Sequence, residues 1–153
     1  MALADLHIHT FYSDSTSSPQ EVIEDALKAG LACISITDHD VLDGIQPTLD
    51  AAASSGIEVI PGIELSSEYE GKDIHILGYF VEHDQGILKD KCEILLDGRV
   101  SRMKQMLLNL QSMGVNDITF EEVQALTKSR AVGRAHLAWK KQKKGHVGSF
   151  REA

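Results

Sequence analysis

The sequence predicts an α/β fold in which strands and helices alternate through the first 84 residues and helices alone follow. Three observations carry this. Short apolar runs ending in polar clusters recur between helical patterns, which argues for right-handed βαβ units and a parallel sheet or barrel. The run Leu31 to Thr37 is apolar enough on both faces to lie inside such a sheet. From about Gln85 the apolar residues switch to a helical period and keep it.

Residues 4 to 9 read as the first strand, and Thr10 to Ser18 as a polar loop after it. Ser18, Pro19 and Glu21 form a helix start, with Ser at the N-cap, Pro at the first helical position and Glu reaching back as a capping box. Val22, Ile23, Ala26 and Leu27 make that helix's apolar stripe, and Gly30 ends it. After the second strand, Asp38-His39-Asp40 leads to a helix through Leu42, Ile45, Leu49 and Ala52, stopped at Gly56. Asp40 is its expected N-cap, and Pro47 shifts its start or kinks it. Ile57 to Ile60 reads as a short third strand ended by Pro61-Gly62. Leu65 to Glu70 and Asp73 to Val81 then form a hairpin around Gly71.

The helical part begins with Ile87, Leu88, Cys92, Leu95, Leu96, Val100, Met103, Met106, Leu107 and Leu110, one helix or two interrupted near Gly98, ending at Gly114. Thr119 with Glu122 is a second capping box, opening a helix to about Ser129, and residues 133 to 144 form another. The chain is thereby divided into 1–84, the βα part, and 85–153, a helical part.

With 153 residues, 42% of them hydrophobic, the chain can bury a core without disulfides. Cys33 and Cys92 sit in a strand-like and a helical pattern and read as buried free thiols. No apolar run is long enough to span a bilayer, and the start lacks a leader pattern, so a cytoplasmic location is expected. The net charge of -8 is divided: residues 1 to 88 hold 2 Lys+Arg against 16 Asp+Glu, and residues 89 to 153 hold 13 against 7. An acidic half that can hold cations thus precedes a basic half that can hold an anion.

His7 and His9 alternate with Leu6 and Ile8, so in a strand both imidazoles face one side. Alone, His-x-His is a weak signal. His39 at the second strand's end, Glu64 after the third and His75 in the next place four of the seven histidines at one mouth of the sheet. Asp14, Asp38 and Asp40 add carboxylates there. A mixed His and carboxylate set with more than four ligands suits two or more divalent ions rather than a closed structural zinc site, and hydrolysis of a phosphate ester is the chemistry it best serves. Manganese, iron and zinc all accept such ligands.

Asp5-Leu6-His7-x-His9-Thr10-x-x-Ser13-Asp14, Thr37-Asp38-His39-Asp40, Pro61-Gly62-Ile63-Glu64-Leu65-Ser66 and Ile74-His75-Ile76-Leu77-Gly78-Tyr79 together resemble the successive motifs of the PHP (polymerase and histidinol phosphatase) family. The resemblance is nearest to stand-alone bacterial phosphoesterases acting on nucleoside 3',5'-bisphosphates and short 5'-phosphorylated oligonucleotides. It implies a distorted (βα)7 barrel with a helical insertion, the latter including Arg134-x-His136. It implies that His7, His9, Asp14, His39, Glu64 and His75 ligate up to three metal ions, with Glu64 bridging. Asp38 matches a catalytic-site carboxylate that orients a neighbouring group, and a metal-activated hydroxide attacks phosphorus in line. Arg99, Arg102, Arg134 and His136 are the candidates for holding a second phosphate of the substrate.

The chain departs from the family in lacking an Ala-His-Pro motif and a later Asp-x-His pair, and its four strands cannot close seven. The barrel is therefore expected to be incomplete, with an open edge available for self-association or for the rest of a longer protein. Two other readings stand beside the phosphoesterase: an amidohydrolase, because His-x-His also opens that superfamily, and a metal-binding fragment without turnover.

Overall fold

A computed structural model describes residues 2–84 and 86–153. The expected division of the chain falls beside Gln85, which with Met1 lies outside the described residues. The elements run β1 (Leu3–Ile8), α1 (Pro19–Lys28), β2 (Leu31–Ile36), α2 (Ile45–Ala52), β3 (Glu58–Tyr69), β4 (Lys72–Tyr79), α3 (Ile87–Ser112), α4 (Phe120–Gln124) and α5 (Arg134–Lys143), then one 3-10 turn at Phe150–Glu152. The strands form one sheet in the order β1-β2-β3-β4. The first three are parallel and the fourth antiparallel.

Helix α1 starts as expected: the Glu21 N–H donates to Ser18 Oγ, and the Ser18 N–H to Glu21 Oε2 at 2.8 Å. Its buried Val22, Ile23 and Ala26 pack on Ile34 and Ile36 of β2 together with Ala52 and Ile57. Burying each isoleucine contributes roughly 1.5–3 kcal/mol, against about 1 kcal/mol for a cap, so packing on the sheet holds this helix and the cap sets where it begins. Helices α1 and α2 cover one face of the parallel strands. β1 is exposed along most of its length and pairs only with β2 among the described residues. The sheet curls enough for Tyr79 Oη of β4 to donate to Leu6 O of β1 at 3.0 Å. This is an open part of a barrel, as the missing strands implied.

Three expectations are corrected, and one left open, whether α3 is one helix or two, is decided. Asp40 does not cap α2: that helix starts at Ile45 behind Gly44, placing Pro47 in the first turn where its missing N–H is not needed. The third strand does not stop at Pro61-Gly62. β3 pairs with β2 through Pro61 and with β4 from Gly62 onward, so the proline falls where the ladder changes partners. α3 is a single helix through Gly98, with one buried stripe of Cys92, Leu96, Arg99, Met103 and Leu107. α4 ends at Gln124 rather than near Ser129, because the following residues fold back on the loop after β1. There Thr127 Oγ1 donates to the carbonyls of Phe11 and Tyr12 at 3.2 and 3.0 Å, Ser129 Oγ donates to Tyr12 O at 2.5 Å, and the Lys128 N–H donates to Phe11 O at 2.8 Å.

The two halves of the chain share cores. Cys92 and Leu88 of the α3 region pack with Leu42, Ile45 and Ile63, and Leu96 and Ala131 pack with Val41. Both cysteines are free, and burial, with Asp40, Glu93 and Asp43 nearby, pushes the Cys92 thiol up to about 11. Among the described residues no helix is long and apolar enough to cross a membrane.

Two glycines give opposite expectations. A Cβ on Gly62 would sit 2.5 Å from Ser35 Oγ and 2.8 Å from the Ile36 carbonyl. Gly62→Ala should therefore destabilise the protein by about 1–3 kcal/mol. Gly98 is exposed within α3 with open space around it, so Gly98→Ala should stabilise it by about 0.5–1 kcal/mol. Urea unfolding midpoints of the two variants check both signs.

Candidate metal centre

Ile8 packs on the α1–β2 core, which turns His7 and His9 to the opposite side. The chain leaving β2 is then pinned residue by residue. The Thr37 N–H donates to Ile8 O at 2.8 Å. Asp38, 1% exposed, accepts from the Thr10 N–H at 2.7 Å, from Thr10 Oγ1 at 2.6 Å and from Ser13 Oγ at 2.5 Å. His39 forms a parallel bridge with Glu64, extending the β2–β3 ladder past the strand's end. Asp38 thereby fixes the loop that carries Asp14, and the bridge sets His39 beside Glu64.

Glu64, nearly buried, is the hub. Its Oε2 lies 2.8 Å from His7 Nε2, 3.0 Å from His9 Nε2 and 3.6 Å from His39 Nδ1, and its Oε1 lies 2.6 Å from His75 Nδ1. Asp14 lies 3.0 Å from His9 Nδ1 and 3.5 Å from His39 Nε2. The structure thus brings all six expected ligand residues together. They fall into three overlapping triads, His7-His9-Glu64, His9-Asp14-His39 and His39-Glu64-His75, each with donor atoms within 4.8 Å of one another.

Burial works against the charged forms of His9, Asp14, Glu64 and Asp38, and the neighbours outweigh it in the first three. Burial lowers His9, but the Asp14 hydrogen bond and the charges of Asp14, Asp38 and Glu64 raise it overall. Burial raises Asp14, but His39 and His9 hold it well below the usual carboxylate range. Glu64 is likewise lowered by His7, His39, His75 and His9 against its burial. For Asp38, burial outweighs the donors and pushes the carboxyl up. The residues fit a metal site on a further observation: among the described residues the buried His39 Nδ1 has no hydrogen-bond partner, which leaves it open to an ion.

A cleft of about 430 Å³ opens beside the cluster. Asp14, His39 and His75 line one side, and Arg99, Arg102 and Arg134 line it from α3 and the start of α5. Arg134 also pairs with Asp73 at 3.0 Å. His136 does not line this cleft but adjoins it: its Nδ1 accepts from the Gly133 N–H at 2.9 Å, and its buried ring lies close to Asp14 and Arg99. Sequence reasoning gave no role to Thr10, Ser13 and Ser66, which hold the ligand-bearing loops, and took Asp40 for a cap. Thr10, Ser13 and Ser66 lie inside the motifs, so their positions were visible though their bonds were not.

Comparison with known proteins follows the same lines. A family model described as PHP domain matches residues 5–143. Over 138 residues the chain is 30% identical to a 3',5'-nucleoside bisphosphate phosphatase of Chromobacterium violaceum, covering 90% of this chain and 48% of that protein. It is 30% identical to the 5'-3' exoribonuclease Rnm of Escherichia coli, covering 88% and 46%. A solved structure described as an amidohydrolase from Chromobacterium violaceum, with bound sulfate and no metal, superposes with a TM-score of 0.90 at 29% identity over 98% of this chain and 53% of that one. The chain spans about half the length of the curated relatives it matches.

The charge pattern sets a pH dependence. His9, raised above its unfolded value of 6.5, contributes stability that is complete below that value and lost as pH rises through the folded one. Glu64, lowered from 4.5, contributes stability that is complete above that value and lost as pH falls, and Asp14 acts in the same sense. These three groups together favour chelator-treated protein between about pH 4.5 and 6.5, within which the lowered His136 favours the upper end and the raised Asp38 the lower. Added manganese, which needs neutral imidazole, should move the maximum to higher pH. Thermal melts from pH 4 to 8, with and without metal, check this, and an optimum unmoved by metal would contradict it.

Proposed function

The chain belongs to the PHP domain family, and on that basis we propose that it carries the amino-terminal ligand set of a divalent-metal-dependent phosphoesterase for nucleotides or short oligonucleotides. The observation that carries this reading is the linking of three overlapping His and carboxylate triads, two of them sharing Glu64, beside a cleft lined by three arginines. His7, His9, Asp14, His39, Glu64 and His75 would hold up to three ions, and their N and O donors suit manganese, iron or zinc. Such ions supply a nucleophile from water near neutral pH and neutralise charge on the phosphoryl group.

This chain's own residues do the rest. Asp38 acts by holding Thr10 and Ser13, so that Asp14 stays beside His9 and His39. Arg99, Arg102 and Arg134 take a second phosphate of the substrate, Arg99 through its Nη1 alone because Asp40 and Ser66 hold its other two nitrogens. His136 serves this pocket by fixing the Gly133 turn from which Arg134 projects. The acidic residues 1–84 form the metal half and residues 85–153 the anion half. The reading is supported by the names of the two relatives, a bisphosphate phosphatase and an exoribonuclease. Two free cysteines fit a reducing, cytoplasmic setting. The unpaired β1 edge is where a further segment, or a second copy of the chain, adds.

The test is metal-dependent release of phosphate from a nucleoside 3',5'-bisphosphate and from 5'-phosphorylated oligonucleotides, by the chain alone and with the carboxy-terminal half of a relative supplied. His7→Ala and His39→Ala should lower the rate roughly 100-fold or more. Arg102→Ala should raise KM for the bisphosphate by about 10-fold or more while leaving that for a monophosphate nearly unchanged. Hydrolysis of amides or lactones but not phosphates would overturn the reading. Metal binding without turnover under every condition would leave a metal-binding fragment.

A further inference from the structure

Asp40 is fully buried and holds a left-handed backbone conformation, with φ of 55°. Such a conformation is strained for a non-glycine residue and persists only where the surroundings enforce it. Here the enforcement is visible: the Asp40 N–H donates to Glu64 O at 3.0 Å, and the carboxylate is gripped from two elements. Oδ1 accepts from the Ser66 N–H at 2.7 Å, and Oδ2 accepts from Arg99 Nε at 2.5 Å. Arg99 closes the ring by donating from Nη2 to Ser66 Oγ at 2.7 Å. The loop after β2, strand β3 and helix α3 are thereby joined through one guanidinium.

Two of the three Arg99 nitrogens are spent in this ring. The third, Nη1, lies 3.5 Å from where a Cβ of Gly133 would be, at the start of α5 and on the arginine-lined cleft. A guanidinium only 7% exposed would be costly without a partner, and Asp40 supplies that partner at the edge turned away from Nη1. The fork is then held rigid before any anion arrives, which removes the entropy cost of ordering a long side chain on binding. We propose that Asp40 is a positioning residue for the second-phosphate subsite, acting through Arg99 and aided by Ser66. This rests on the reading of the cleft as a phosphate subsite.

The experiment is calorimetric titration of the whole chain, with chelator present, using adenosine 3',5'-bisphosphate and adenosine 5'-monophosphate as probes. Asp40→Asn should weaken the bisphosphate about 10-fold and the monophosphate little. Arg99→Met should weaken the bisphosphate at least as much, and adding Asp40→Asn to Arg99→Met should cost nothing more, because Asp40 acts through that side chain. Ser66→Ala, which removes one tether and no charge, should give a smaller loss confined to the bisphosphate, and carries the test if Asp40→Asn does not fold. Additive losses in the double variant, or an unchanged bisphosphate affinity in Asp40→Asn or, failing that, in Ser66→Ala, would overturn the role of Asp40. A parent chain that binds the two probes equally, or neither, would instead overturn the phosphate subsite, and this inference with it.

Discussion

Two carboxylates buried two residues apart must be satisfied inside the protein, and that requirement organises the rest of the molecule. Asp38 draws in the loop after β1, and Asp40 draws in β3 and α3. His39, between them, is delivered to the one place where both sets of partners meet. An unpaired buried charge costs more than any single cap or hairpin contributes, so the geometry of Thr37 to Asp40 constrains its neighbours rather than following them. The His and carboxylate cluster and the arginine-lined cleft adjoin because Asp38 and Asp40, which tie their elements together, lie two residues apart.

The division of charge takes on spatial meaning in this frame. The acidic half converges on Glu64, where imidazoles moderate the negative charge. The basic half contributes helix α3 and the start of α5, which turn their arginines toward the same opening. The halves are not loosely attached, since Val41, Leu42 and Ile63 are covered by residues from α3 and the segment before α5. The His and carboxylate cluster and the arginine-lined cleft therefore share one packed frame.

Much of this was legible in the amino-acid order because it depends on local rules. His7 and His9 share a side because strands alternate, Ser18 and Thr119 start helices because their hydroxyls cap them, and the βα spacing carries the ligands to one mouth. What stayed hidden depends on partners distant in sequence. Pro61-Gly62 reads as a strand break, yet β3 runs through it because the sheet changes partners there. Asp40 looks like a cap because it precedes a helix, and nothing local reveals that Arg99, 59 residues on, claims it. The early end of α4 likewise depends on carbonyls in the first loop, and His136 on a cap-like bond at its own helix start.

The clasp formed by Thr127 and Ser129 on Phe11 and Tyr12 joins residues 115 to 117 positions apart. Contacts of that separation close late, because the entropy of bringing distant segments together comes before any reward from the contact. During synthesis the stretch from His7 to Asp14 emerges long before the residues that cover its carbonyls. The loop that carries Asp14 therefore gains these contacts only once the chain has been made as far as Ser129.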